Sequence, residues 1–384
     1  MSATISDRAS LDPAALQSAM DGLHRAGMPG VYAEVRDADQ TWRGAAGVAD
    51  VETGRPVSPD MRHRVGSVTK TFTAAAVLRQ VEKGLVQLDA PIRRYLPRLV
   101  PGGRGDRVTV RMLLNHTSGI AEYLPYAFPS FRGFPSLQDI SPESLDDNRF
   151  TRFRPAELIK MGLSAPASGE PGGSPGVYSN TNYLLLGELL ERVTGTSAAK
   201  CVTDEVIEPA GLQHTGFPVG PHIEESHSRM YEALFGLIDP PRDYSVYNMS
   251  WVMLGAGLIS TVGDLNLFYG KLFSGEIVSA SSLAQMRRTG PVVALDGQRL
   301  HYGLGLHRVE IPGHGVFWGH DGTTWGAGTS SLTRADGGRQ ASIAINLMRW
   351  NRLDASGKPR PHPIDGALAA LRQQALCGES DDQR

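Results

Sequence analysis

Near the start of the chain stands the stretch Ser67-Val68-Thr69-Lys70. No glycine or proline follows until Gly84, so the pattern predicts a helix from Ser67 to about residue 83. Residues three apart share a helix face, which brings the Ser67 hydroxyl within reach of the Lys70 amine. A serine hydroxyl is a weak nucleophile until a base takes its proton, and a desolvated lysine with a lowered pKa can be that base. The stretch therefore predicts a nucleophilic serine at a helix N-terminus, where free N–H groups suit an oxyanion.

Two short elements elsewhere in the chain strengthen this interpretation. One follows the glycine- and proline-rich residues 168–176 and the other lies between two strand-like segments; they are Tyr178-Ser179-Asn180 and His320-Asp321-Gly322. Considered alone, Tyr178 would be an ordinary packed aromatic and His320 an ordinary core histidine. Gly322 has no side chain, so a ligand can approach the backbone there.

Sheet-forming patterns lie at both ends of the chain and helical patterns lie between them. Pro13 begins a helix that ends at Gly27, and strands follow near residues 31–35 and at Trp42. The clearest central helix is expected at 177–198. Later strands are expected at 304–309, 315–318, 328–333 and 341–347, before a last helix with Ile364, Leu368 and Leu371 on one face. This order predicts an α/β lobe that is closed by both termini and contains an inserted helical lobe.

In order and spacing, the three short elements resemble the serine β-lactamase and penicillin-binding protein superfamily, with its Ser-x-x-Lys, Ser/Tyr-x-Asn and Lys-Thr-Gly signature. The Tyr-x-Asn and His-x-Gly forms look most like the branch of class C β-lactamases, D-alanyl-D-alanine carboxypeptidase, D-aminopeptidases and related esterases. The resemblance runs from about Gly30 to Asn346 and includes residues 64–66, 113–119, 255–261 and 302–306.

The resemblance implies a fold as well as a site. We expect one β-lactamase-like catalytic domain over residues 1–384, in which an antiparallel sheet is flanked by helices. The α/β lobe would comprise about 1–80 and 255–384, and an inserted all-helical lobe about 81–254. The active site would lie in the cleft between the two lobes.

The family's catalytic roles carry over to four residues. Ser67 would attack a carbonyl carbon and become acylated, while Lys70 and Tyr178 would share the proton transfers, with either of them as the base. His320 would help to position Tyr178 and the leaving group.

The family's substrate-binding roles fall on other positions. Asn180 would bond to Lys70 and to the amide of the substrate, and the N–H groups of Ser67 and Thr323 would form an oxyanion hole beside Gly322. Trp251 matches an aromatic wall of the site in the carboxypeptidase, but an ordinary core tryptophan is an equal alternative.

Two positions depart from the carboxypeptidase. It has a threonine and an arginine where this chain has Asp321 and His307. An aspartate about 4 Å from a substrate carboxylate would repel it by roughly 1 to 4 kcal/mol. We therefore expect a poor carboxypeptidase, unless Arg308 replaces the missing arginine or Asp321 points away from the site.

Three functions remain open at this stage. The first is hydrolysis of an amide or ester, most naturally in a small peptide with a D-residue. The second is transacylation or peptide cyclisation by the same acyl-enzyme, with a thioester substrate on a carrier protein. The third is a non-catalytic penicillin-binding sensor, which the intact catalytic set disfavours. Residues 121–155, rich in aromatic side chains, form either a surface loop with a small hydrophobic cluster or a substrate-binding rim.

Composition narrows the partners. The formal net charge is −2 in 384 residues, with 20% charged side chains, so nucleic acid is not an expected partner. No long apolar run predicts a membrane span. No motif predicts a metal or another cofactor, and Cys201 and Cys377 are expected to be free thiols. The first residues carry no secretory pattern, so the expected location is the cytoplasm.

Overall fold

The computed structural model describes residues 11–137 and 139–378. The N-terminal residues on which the cytoplasmic expectation rests lie outside the described residues. The α-helices are α1 (Pro13–Arg25), α2 (Thr69–Glu82), α3 (Gly102–Arg107), α4 (Val110–Leu114), α5 (Leu124–Ala127), α6 (Glu143–Asp147), α7 (Pro155–Ser164), α8 (Asn180–Thr194), α9 (Ala198–Val202), α10 (Met253–Ala256), α11 (Val262–Ser274), α12 (Ala280–Met286) and α13 (Pro363–Cys377). Among them, no helix is long and apolar enough to cross a membrane.

The strands form one large sheet and two small ones. They are β1 (Gly30–Asp37), β2 (Gln40–Asp50), β3 (Arg55–Pro56), β4 (His63–Arg64), β5 (Gly176–Val177), β6 (Tyr231–Glu232), β7 (Arg242–Asp243), β8 (Ile259–Ser260), β9 (Gly290–Val293), β10 (Arg299–Tyr302), β11 (His307–Ile311), β12 (Gly315–Thr323), β13 (Gly328–Arg334), β14 (Arg339–Ile345) and β15 (Leu347–Met348). The large sheet has the order β3-β2-β1-β14-β13-β12-β11-β10-β9-β5. Its pairs are antiparallel except β5 with β9.

Helices cover both faces of the large sheet. Alternate residues of β1, among them Val31 and Val35, pack with the buried faces of α1 and α13. On the other face, Glu34 accepts a hydrogen bond from Asn266 of α11. The predicted α/β class with an antiparallel sheet and flanking helices is therefore confirmed.

The first helix illustrates how local sequence sets an element. The side chain of Asp12 accepts hydrogen bonds from the N–H groups of Ala14 and Ala15, which have no partner inside the helix. Pro13 occupies the first turn, where a missing N–H costs nothing. The helix buries a stripe of Leu16, Met20 and Leu23, as the periodicity predicts.

Two predicted elements are wrong in their bounds. The central helix begins at Asn180, three residues later than expected, because the two residues 176–177 belong to β5. The strand expected at 304–309 is correct only from His307 onward, where β11 begins, because residues 303–306 form the turn that joins β10 to β11. Gly305 in that turn has φ +69°, and a Cβ on Gly303 would lie 1.9 Å from the Met286 oxygen, so the chain reverses there instead of extending.

The segment expected to be all helical also contains short strands. Within it, β6 pairs with β15 and β7, and Tyr231 packs into the same core cluster as α1 and α13. Most of the remaining helices share a separate, larger core cluster with α2. Tyr231 and Ala233 thus pack with the sheet side of the molecule, whereas Leu234 and Ile238 pack into the larger cluster. The lobe boundaries near 80 and 255 stay a prediction.

Candidate active site

Two glycines bring the N-terminus of α2 against β12. Ser67 lies in the short 3-10 turn Gly66–Val68 that precedes α2. A Cβ on Gly66, whose φ is +55°, would lie 2.4 Å from the backbone nitrogen of Thr323. A Cβ on Gly322 would lie 2.0 Å from the Val65 oxygen and 2.8 Å from the Ser67 nitrogen. Since no side chain fits at either position, the backbones around Ser67 and Thr323 lie directly beside each other.

Lys70 is fully buried and has three oxygen partners. Its Nζ lies 3.0 Å from Ser67 Oγ, 2.7 Å from Asn180 Oδ1 and 2.8 Å from the Gly255 oxygen. Burial lowers the pKa of Lys70 to about 7, against an opposing effect of Glu122. The amide and carbonyl oxygens can only accept hydrogen bonds. A neutral amine therefore points both of its N–H bonds at them, and its lone pair is left facing the Ser67 hydroxyl.

Tyr178 lies between β5 and α8, with its ring centroid 4.9 Å from the Lys70 Nζ. Its backbone N–H donates to the Val293 oxygen, and its hydroxyl interacts with the Ser67 side chain. The ring stacks on His116 with centroids 4.1 Å apart. Burial raises the pKa of the Tyr178 hydroxyl well above its ordinary value of 10, so the phenol keeps its proton near neutral pH.

A layer of polar groups beneath the site fixes the motif that carries Tyr178. His116 Nδ1 lies 3.2 Å from the Ser179 N–H and 3.2 Å from Asn182 Nδ2. The half-buried Glu122 accepts the N–H of Asn180 at 2.6 Å. The motif signature did not mark His116 or Glu122 as site residues, although His116 lies within the 113–119 segment that supports the family resemblance.

His320 makes its hydrogen bonds to groups other than Tyr178. Its Nδ1 lies 2.5 Å from the backbone carbonyl oxygen of Asp321, and its Nε2 lies 2.8 Å from the Tyr302 hydroxyl. The carbonyl only accepts, so Nδ1 carries the proton and Nε2 accepts from Tyr302. Burial lowers the pKa of His320 to about 3. Tyr302 thus takes the Nε2 hydrogen bond of His320, while the rings of His320 and Tyr178 meet edge to face with centroids 6.5 Å apart. The role of His320 in positioning Tyr178 stays a prediction.

Asp321 points at a cation that the sequence did not reveal. Its carboxylate lies 3.1 Å from the guanidinium of Arg372, on α13. Burial opposes the ionised form, but Arg372, His307 and the Ser330 hydroxyl together hold the pKa of Asp321 below its usual range. Arg372 therefore offsets the Asp321 charge on which the expected repulsion of a substrate carboxylate depends, and the expectation of a poor carboxypeptidase stays a prediction.

His307 and Arg308 point in opposite directions, as neighbours on a strand do. His307 is buried and stacks on His320 with centroids 5.4 Å apart. Burial lowers the pKa of His307, so it is uncharged near neutral pH. Arg308 instead bonds to Glu310 at 2.7 Å and does not line the cleft. Arg308 therefore does not occupy the place of the missing arginine here, and the alternative in which it swings into the site stays a prediction.

Ser67 opens into a cleft of about 450 Å³. Its polar lining includes Tyr178, His307, His320, Asp321, Thr323, Arg349 and Arg372. Its apolar lining includes Ala294, Leu295 and Leu300 and a larger group that we call the apolar wall: Leu124, Phe131, Phe134, Leu137, Ile140, Phe235, Trp325 and Met348. Five of these wall residues come from the irregular 121–155 segment, so the geometry favours the substrate-binding rim over a separate surface cluster.

Trp251 is placed one layer behind this wall. It is buried and stacks on Trp325 with centroids 5.3 Å apart, and only Trp325 lines the cleft. Asn180 likewise reaches the site through Lys70. No group of three His, Cys, Asp or Glu side chains converges as a metal site within the described ranges 11–137 and 139–378.

Comparison with known proteins gives the site its context. The chain is 35% identical to the esterase EstB of Burkholderia gladioli over 220 residues, which are 54% of this chain and 53% of the esterase. The chain thus spans about half the length of that curated relative. A crystal structure of a D-stereospecific amidohydrolase from Streptomyces sp. is 31% identical, with a TM-score of 0.80, and the match covers 96% of this chain and 100% of the other.

A more distant structure shares the fold. The D-amino acid amidase of Ochrobactrum anthropi SV3, complexed with D-phenylalanine, is 21% identical with a TM-score of 0.76 over 94% of this chain and 97% of the other. The Beta-lactamase family model matches residues 14–362. With a match over most of its length, this chain belongs to the Beta-lactamase family.

Proposed function

We propose that this protein is a serine acyl-enzyme hydrolase that cleaves an amide or ester bond of a small substrate. The observation that carries the proposal is the buried Lys70 amine, 3.0 Å from Ser67 Oγ and with a pKa lowered to about 7. A general base works best when its pKa lies near the working pH. Lys70 is then the base, and Ser67 is the nucleophile.

Acylation would proceed as follows. The Ser67 hydroxyl gives its proton to the Lys70 lone pair while its oxygen bonds to the carbonyl carbon of the substrate. The carbonyl oxygen gains negative charge, which the adjacent N–H groups of Ser67 and Thr323 are placed to stabilise. The bond to the leaving amine or alcohol then breaks, and the acyl group remains on Ser67.

Tyr178 fits the role of proton donor to the leaving group. Its raised pKa means that it holds a proton at neutral pH, and its hydroxyl interacts with the Ser67 side chain. After giving up this proton it can take one back from protonated Lys70, whose Nζ lies 4.9 Å from the ring centroid. A water molecule would release the acyl group by the same steps in reverse. His320, neutral and held by Tyr302, is a positioning residue in this scheme.

The substrate class follows from the cleft and the relatives together. The Streptomyces relative is named a D-stereospecific amidohydrolase and the Burkholderia relative an esterase. The apolar wall beside Ser67 favours a substrate with an apolar side chain. We infer that the substrate is an amide or ester of an apolar D-amino acid, or of a small peptide that contains one.

The test is intact-protein mass spectrometry during incubation with D- and L-phenylalanine amide, their methyl esters and a simple thioester. We expect a transient acyl adduct on the peptide that contains Ser67, faster with the D-compounds, and neither adduct nor turnover in Ser67→Ala. An adduct that survives in Ser67→Ala would sink the proposal. An adduct that water leaves intact but an added amine removes would indicate transacylation, and one stable to both would indicate a sensor.

A further inference from the structure

The small sheet formed by β15, β6 and β7 holds a buried carboxylate that the scheme above does not use. Glu232 is fully buried at the end of β6. Its Oε1 accepts the N–H of Leu234 at 2.8 Å, and its Oε2 accepts the N–H of Gly326 at 3.0 Å and the Arg349 guanidinium at 2.5 Å. All three partners are donors, so the ionised carboxylate is the form that this environment satisfies.

These contacts converge on the turn between β12 and β13. Gly326 lies within the turn, and Arg349 also donates to the Thr324 oxygen at 3.3 Å. The turn residue Trp325 lies under the Arg349 guanidinium, 5.1 Å from ring centroid to Cζ. A Cβ on Gly326 would lie 2.2 Å from the Met230 oxygen, so the turn rests directly on the backbone that leads into β6. Glu232 thus bonds to Gly326 and Arg349 bonds to Thr324, so both sequence neighbours of Trp325 are held in place.

The same carboxylate also holds a second piece of the apolar wall. Leu234 and Phe235 have φ values of +41° and +60°, and Arg349 has +53°. Bulky residues occupy this left-handed region only when their surroundings enforce it. Glu232 bonds to Leu234, and the Phe235 N–H donates to the Arg349 oxygen at 2.7 Å. Phe235 is therefore held against the cleft by the same small network.

We propose that Glu232 is a positioning residue that, through Gly326 and Arg349, fixes Trp325 and Phe235 as the apolar wall and so sets the preference for substrates with a large apolar acyl group. The proposal rests on the proposed function, because it concerns the acyl group that Ser67 would receive. Glu232 lies outside the cleft lining and touches no reacting atom. Its effect should therefore appear in substrate preference instead of in the chemical step.

The chain offers a matched control in Glu34. This carboxylate is also fully buried and pairs with two arginines, Arg36 and Arg43, each at 2.7 Å. It lies on β1, away from the cleft, so Glu34→Gln removes a comparable buried charge without touching the wall. A general loss of stability would affect Glu34→Gln and Glu232→Gln alike. A change in substrate preference is expected only in Glu232→Gln.

The kinetic test compares p-nitrophenyl acetate with p-nitrophenyl phenylacetate. In Glu232→Gln we expect the ratio of kcat/KM, phenylacetate over acetate, to fall about tenfold, the scale of a misplaced hydrophobic pocket contact, mainly through KM. Arg349→Gln should lower the same ratio, which keeps the test available if Glu232→Gln folds poorly, and Glu34→Gln should leave it unchanged. A folded Glu232→Gln with the wild-type ratio would overturn the proposal.

A binding test separates this inference from the proposed function. The Kd of 3-phenylpropionamide is measured by calorimetry in three variants: Ser67→Ala alone, Ser67→Ala with Glu232→Gln, and Ser67→Ala with Glu34→Gln. We expect Glu232→Gln to raise this Kd about tenfold and Glu34→Gln to leave it unchanged. Equal Kd values in all variants, or no binding of the amide in any, would overturn the role of Glu232. Failure of the wild type to acylate any ester would instead contradict only the proposed function.

Discussion

The catalytic floor and the apolar wall of the cleft are built on different principles. The floor, which we define as Ser67, Lys70, Tyr178 and Asn180, comes from the starts of two helices, and each side chain has identified polar partners. The wall gathers apolar side chains from segments between residues 124 and 348. In the proposed scheme, local spacing places the catalytic side chains, while long-range packing would set the choice of substrate. Changes to the two regions should have different kinetic signatures.

The largest expected effect tests whether the floor acts as one unit. Lys70→Ala and Tyr178→Phe should each lower kcat/KM by about 10²- to 10⁴-fold, as loss of acid–base catalysis does. Because the two residues would form one proton relay, in which Lys70 reprotonates Tyr178, the double variant should be little worse than either single one. The measurement is a double-mutant cycle on one activated ester. Effects that multiply in the double variant would show that the two residues act independently.

The floor could be predicted because its geometry is local. Ser67 and Lys70 share a helix face by spacing alone, and the Tyr-x-Asn motif lies at the start of α8. The partners of His320 and Asp321 could not be found in this way. Tyr302 reaches His320 from β10, with β11 between their strands, and Arg372 reaches Asp321 from a helix 51 positions further along the chain. Such pairs depend on sheet order and helix packing, which no short sequence pattern encodes.

The same limit applies to the fold: local patterns predict its main elements, but not every break or short strand. Alternation in β1 and the stripe on α1 predict the sheet and its covering helix, because burial on one face imposes a period. The break at residues 303–306 was missed, since the apolar leucines there mimic a continuous strand while the glycines turn the chain. The two-residue strand β6 has too few residues to show any period, yet it carries Glu232.

A smaller effect is expected from the wall. Trp325→Ala should lower kcat/KM for p-nitrophenyl phenylacetate by about tenfold or more, because a large buried aromatic contact is lost. The value for p-nitrophenyl acetate should change much less, since a methyl group does not reach the wall. Trp318→Phe, a buried tryptophan of β12 that does not line the cleft, is the control. Equal losses for the two esters in Trp325→Ala would show that wall and floor are not separable.

The smallest expected effect concerns the ion pair at the boundary between the two regions. Removing the cation with Arg372→Met leaves the Asp321 charge uncompensated. The rate for a D-Ala-D-Ala peptide with a free carboxylate should then fall several-fold relative to its amide, the size of a charge repulsion of about 1 kcal/mol. Adding Asp321→Asn should restore the ratio. A ratio that Arg372→Met leaves unchanged would show that Asp321 does not face the substrate's end.

The central claim is that a neutral Lys70 activates Ser67, and the pH dependence of covalent labelling tests it most directly. The rate at which a fluorophosphonate labels the Ser67 peptide is measured by mass spectrometry from pH 5 to 9. Since the amine must be unprotonated and burial lowers the pKa of Lys70 to about 7, the rate should rise with pH through about 7 and then level off. His320, with a pKa of about 3, and Tyr178, raised well above 10, should not titrate in this range. A rate that is flat across this range, or label on another residue, would contradict the claim.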